Sequence, residues 1–161
     1  MITPGELIAA YARNLKIIEA QTNGLTHSSA AGPGPFPCNC LNWLLGHIAE
    51  TRTLVLQKLG HAGILSEAQA KRYGYGSDPV LADGEDVIKL DELLDLLRQS
   101  QESIAAGLGG ISEETLAGET ESFLGTTSLG QLLFFLHFHE TYHLGQTELL
   151  RQLAGTDDEV L

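Results

Sequence analysis

Three histidines fall within seven positions late in the chain, His137, His139 and His143, and their spacing sorts them. On a helix turning about 100° per residue, His139 and His143 stand about 40° apart and one turn from each other. His137 falls about 160° from His139, which removes it from any common site with the other two. Leu132, Leu136, Gln146 and Leu150 share the His139 and His143 face, so that face is expected to point into a core. A fourth histidine, His47, lies in Asn42-Trp43-Leu44-Leu45-Gly46-His47-Ile48-Ala49-Glu50, again amid an apolar stripe. Gly46 beside it leaves room for another helix or a ligand to approach closely. A buried imidazole must satisfy both ring nitrogens; one can do so with ordinary hydrogen bonds, but three together find it harder. A divalent metal satisfies all three at once, with two nitrogens from adjoining turns of one helix and a third from a facing helix. Three protein ligands leave coordination positions open, the pattern of a catalytic site, where a metal lowers the pKa of a bound water or thiol so that it attacks at neutral pH. The alternative is a non-catalytic metal-binding or small-molecule-binding bundle whose ion ties the two helices together.

Other candidates carry less. Glu140-Thr141-Tyr142-His143 has the Glu-x-x-His order of di-iron carboxylate bundles, but such sites need a second copy and two further glutamates. The second helix supplies only the reversed order His47-Ile48-Ala49-Glu50, which argues against a di-iron centre. Glu50 and Glu140 fall on the flanks of their helices and are expected as solvated charges; the sharper alternative is a hydrogen bond to a ligand or a labile fourth coordination. Arg52 and Arg151 read as surface charges or as carboxylate binders. Cys38 and Cys40 lack a second cysteine pair and suit small buried apolar positions. His27 and His61, in or beside loops, and His137, at the surface or an interface, stay outside the site.

Four helices must position these groups. Thr3-Pro4 with Glu6 forms a capping box, and Leu7, Ile8, Tyr11, Leu15 and Ile18 make the stripe of a first helix running from Pro4 to Thr22. Residues 23–37 hold Gly24, Gly32, Pro33, Gly34, Pro35 and Pro37 and read as a loop. Asn39 can cap a second helix that runs through Leu59 to Gly60. The long connection to Lys89 contains a short helix over 66–72 and a turn-rich stretch at 73–79, and a loop this long is usually functional or poorly ordered. Asp91 opens a third helix with Leu93, Leu94, Leu97, Ile104 and Leu108 on one side, ending at Gly109. Ser128 and Gln131 form another capping box for a fourth helix through Leu153, before an acidic tail at Asp157, Asp158 and Glu159. No segment alternates as a strand would. The expectation is an all-α four-helix bundle, one domain over 1–161, with a long connection between helices two and three.

Composition narrows the partners. Against 9 Lys and Arg stand 21 Asp and Glu, a formal charge of −12, so nucleic acid and anionic membrane surfaces are poor partners. No apolar run reaches the roughly 18 to 20 residues of a spanning helix. The N-terminal residues lack the pattern of a secretory signal, and two closely spaced cysteines cannot staple a fold, so a cytoplasmic location is expected.

The stretch Asn42 to Glu50 and the run His139-Glu140-Thr141-Tyr142-His143-Leu144-Gly145-Gln146 together resemble the DinB-like (YfiT-like) superfamily of four-helix-bundle metalloproteins. The resemblance covers nearly the whole chain through helix order, the long second connection and motif placement. It implies an up-down-down-up bundle holding one divalent ion, commonly zinc or nickel, on His47, His139 and His143. It also implies a homodimer, a small-molecule substrate and chemistry of either of two kinds: a transferase using a low-molecular-weight thiol, or a hydrolase. His137 and the Gly/Pro-rich loop over 23–37 depart from the usual pattern, the loop in a place where it could reshape the pocket mouth.

Overall fold

Thr3 and Ser128 each open a long helix by the same reciprocal device. The Thr3 hydroxyl accepts from the Glu6 amide at 3.2 Å while the Glu6 carboxylate accepts from the Thr3 amide at 2.7 Å. Ser128 and Gln131 repeat this at 3.2 and 3.3 Å. In the computed structural model, which describes residues 2–33, 38–123, 125–156 and 160, these caps start α1 (Pro4–Thr22) and, much later in the chain, a 25-residue helix over Leu129–Leu153. Between them lie α2 (His27–Ala30), α3 (Leu41–Lys58), α4 (Glu67–Tyr73), α5 (Leu90–Gly109), α6 (Glu113–Ala117) and the strands β1 (Glu119–Ser122) and β2 (Gly125–Ser128). The helix over Leu129–Leu153 is α7.

The four long helices make the expected bundle. Helices α1 and α3 each pack on both α5 and α7, so the two pairs sit across its diagonals. One part of the core gathers Ile18, Leu45, Ile48, Tyr73, Leu93 and Leu97, and the other Leu7, Tyr11, Leu56, Ile104 and Leu132. No helix among the described residues is long and apolar enough to cross a membrane.

The departures from expectation are local. Helix α3 is capped by Cys40, not Asn39, and without a side-chain hydrogen bond. Every residue from Leu41 to Ala49 is buried, so tertiary packing replaces the missing cap. Helix α5 begins one residue before Asp91, and the otherwise orphaned amide of Leu90 donates to His27 Nδ1 at 3.2 Å. His27 therefore belongs to α2, inside the stretch expected as plain loop, and serves as a cap in trans. Residues 34–37 of that stretch, with Gly34, Pro35 and Pro37, and the acidic tail at 157–159 lie outside the described residues. The antiparallel pair β1–β2, with Glu119 opposite Ser128 and Ser122 opposite Gly125, is a further correction, since no strand was expected. Strands of four residues are too short to declare a period of two.

Asp83 closes the long connection onto α2. With His27 Nδ1 accepting from Leu90, Nε2 carries the proton and donates to Asp83 Oδ1 at 3.0 Å, and Lys89 donates to the other oxygen. These two donors, Lys89 first, hold the Asp83 carboxyl at about 2. Its contribution to stability is thus complete above the usual carboxylate range and is lost as pH falls through about 2. A carbon-detected NMR titration should show the Asp83 midpoint near 2, rising toward the ordinary value in Lys89→Met. An ordinary midpoint in the unsubstituted protein would contradict the contact.

Candidate metal centre

Helix α3 delivers His47 and α7 delivers His139 and His143 to one place, where one nitrogen of each lies within 4.8 Å of the others. The ring centroids are 4.5 to 5.1 Å apart. His139 and His143 approach by their Nε2 atoms at 3.2 Å, as two histidines one helical turn apart can.

The outer nitrogens explain the orientation. His47 Nδ1 lies 2.9 Å from the Tyr73 carbonyl, which can only accept, so Nδ1 carries the proton and Nε2 keeps its lone pair. His143 Nδ1 lies 2.7 Å from Gln146 Oε1 and is fixed in the same sense. His139 Nδ1 faces the Thr51 hydroxyl at 3.4 Å, and a hydroxyl can serve either tautomer. The donor set therefore fits a divalent cation: two Nε2 lone pairs are held in place and the third ring is free to match them. Burial pushes His47 down to about 4, the Tyr73 carbonyl opposes that shift, and His143 and His139 deepen it. Burial, then His143, lowers His139 as well. At neutral pH both are neutral imidazoles, the form that ligates.

Two cavities meet at the cluster. One, of about 510 Å³, is bounded by Cys38, Trp43, Ser77, Tyr142, His143 and Gln146. The other, of about 460 Å³, is bounded by Leu54, Phe123, Phe135 and Leu136, with Glu50 and Thr51 at its histidine end. His47, His139 and Tyr75 belong to both. His47 is itself buried, whereas His139 and His143 are half-buried, so access is from their side.

Gly46 has the close neighbour its position suggests, but the neighbour is the Tyr73 ring. A Cβ at residue 46 would stand 2.0 Å from that ring. Tyr73 cannot easily yield, because its hydroxyl donates to Asn42 at 3.0 Å and accepts from the Ile88 amide at 2.9 Å. Gly46→Ala is expected to cost about 1–3 kcal/mol by overpacking and to weaken metal binding by displacing the carbonyl that orients His47. Thermal melts and metal titration check both; an unchanged variant would contradict the packing.

The carboxylates depart from expectation. Glu140 is not a solvated flank charge; it is wholly buried and grips Arg52, also wholly buried, through bonds of 2.8 and 2.7 Å. Arg52 further donates to the Leu97 carbonyl, to Ser100 and to the Tyr11 carbonyl, so the pair joins α1, α3, α5 and α7 beside the histidines. The one sequence signal was a cation and a carboxylate each lying next to an inward stripe. Glu50 is half-buried, 3.8 Å from His47 Nδ1, and burial raises its carboxyl. Arg151 is buried too and donates to the carbonyls of Gln21 and Asn23 at the end of α1. His137 turns away as expected and packs edge-on to Tyr11, with centroids 5.1 Å apart. His61 is exposed. Both cysteines are free: Cys40 is buried, and Cys38 is half-buried at the first cavity.

Residues 6–147 match the DinB superfamily, and the chain belongs to it. Among solved structures it is similar to a conserved protein from Enterococcus faecalis, with a TM-score of 0.73 and 21% identity over 96% of this chain and 98% of that one. That likeness is one of fold. No curated protein matches the chain.

Proposed function

We propose that this protein is a divalent-metal-dependent enzyme acting on a small molecule, with His47, His139 and His143 as its ligands and a low-molecular-weight thiol or water as the attacking group. The observation that carries the reading is the convergence of three imidazoles, two with their outer nitrogens pinned, at the meeting of two cavities. When bound, a zinc or nickel ion would supply Lewis acidity and favour the ionised form of a thiol or water. The protein's own contribution is the orientation of the imidazoles and the burial of His47. The Tyr73 carbonyl and Gln146 set two rings, Trp43 stacks on His47 with centroids 5.0 Å apart, and burial keeps His47 neutral.

A purely structural ion would tie α3 to α7, but the buried Arg52 and Glu140 pair already does so, which favours the catalytic reading. The test is a screen of thiol conjugation and ester hydrolysis with the metallated protein, repeated after chelation. Turnover that disappears with the metal while the helical spectrum stays is the expected result. No turnover above the free-metal control with either nucleophile would leave only a metal-binding bundle.

A further inference from the structure

We propose that the cavity walled by Leu54, Phe123, Phe135 and Leu136 is a subsite for the uncharged apolar part, an aryl or branched alkyl group, of the electrophile; this rests on the functional reading above and adds a substrate class to it. Its volume of about 460 Å³ falls in the range of small-molecule sites. The walls come from three elements: Leu54 from α3, Phe123 from the turn between β1 and β2, and Phe135 and Leu136 from α7. Phe123 leans on Phe135 with ring centroids 5.6 Å apart at 61°, yet remains 66% exposed. An exposed aromatic held over a cavity gains from a ligand that covers it.

The cavity opens onto His47 and His139 and does not include His143, while the other cavity includes His143, Cys38 and Gln146. Two reactants can thus reach the cluster from different sides. Polarity assigns the apolar one. Among the described residues no Lys or Arg lines the Phe123 side, and the one carboxylate there, Glu50, would repel an anion in a chain already carrying −12.

Fluorescence titration with the neutral probe N-phenylnaphthylamine, run on metal-free and metal-loaded protein, tests this. The full chain should bind one probe saturably. Phe123→Ala should weaken it by about tenfold or more, and Leu54→Glu, which puts a charge into the wall, at least as much. Leu149→Ala, in the wall of the other cavity, should leave probe affinity unchanged, and the anionic relative anilinonaphthalenesulfonate should bind more weakly than the neutral probe. Affinity in both wall variants equal to that of the unsubstituted chain, loss of binding in Leu149→Ala, or preference for the anion would each overturn the subsite. Probe binding of the expected pattern in a protein that takes up no metal would overturn the functional reading instead, which keeps the two failures apart.

Discussion

Replacing His143 with Ala should strip the protein of stoichiometric divalent metal, and replacing His137 with Ala should not. His143 contributes the Nε2 that lies 3.2 Å from its His139 counterpart, whereas His137 sits against Tyr11 on the other side of α7. Loss of an outer hydrogen-bond partner alone typically costs about 10–100-fold in metal affinity. Loss of a ligand should therefore exceed about a hundredfold, with Gln146→Ala, which frees only the outer nitrogen of His143, falling between. Elemental analysis after dialysis against trace metal reads all three. Full occupancy in His143→Ala would remove it from the ligand set, and loss in His137→Ala would show that the helical sorting of the histidines is mistaken.

The second large effect is on stability. Arg52→Ala or Glu140→Ala should each cost about 3–5 kcal/mol, because removing one partner leaves a charge in a site with no exposure. That is a large share of the roughly 5–15 kcal/mol that holds a domain of ordinary stability. The double variant Arg52→Met/Glu140→Leu should cost much less than the sum, since no unpaired charge remains. Urea unfolding at neutral pH measures the cycle. Losses below about 1 kcal/mol for both single variants would mean an ion pair of the exposed kind. Because Glu140 adjoins His139 and Arg52 adjoins Thr51, the single variants should also bind metal less tightly at temperatures where they remain folded.

The histidine cluster was legible because helices convert sequence spacing into angle. Once Thr3 with Glu6 and Ser128 with Gln131 mark two helix starts, the stripes say which side faces inward, and His47, His139 and His143 lie on it. Backbone contacts have no such signature: the Tyr73 carbonyl that orients His47 comes from α4, and nothing in the side-chain pattern of either segment announces it. The Arg52 and Glu140 pair was hidden for another reason. Their types favour the surface, and the partner that reverses that preference is 88 positions away. Phe123 enters the site only through the β1–β2 turn, in strands built of Glu, Thr, Ser and Gly that display no apolar alternation. His27 likewise looked like a loop residue until the end of the long connection brought Leu90 and Asp83 to it.

X-ray absorption at the metal edge of the zinc-loaded protein tests the account's central claim, an open centre held by imidazoles alone. The expected spectrum shows the multiple scattering of three histidine rings with remaining coordination from light, exchangeable atoms, and a change when an added thiol brings sulfur to the metal. A sulfur scatterer present before any thiol is added, which would implicate Cys38, or a fourth protein ligand closing the coordination, would contradict it.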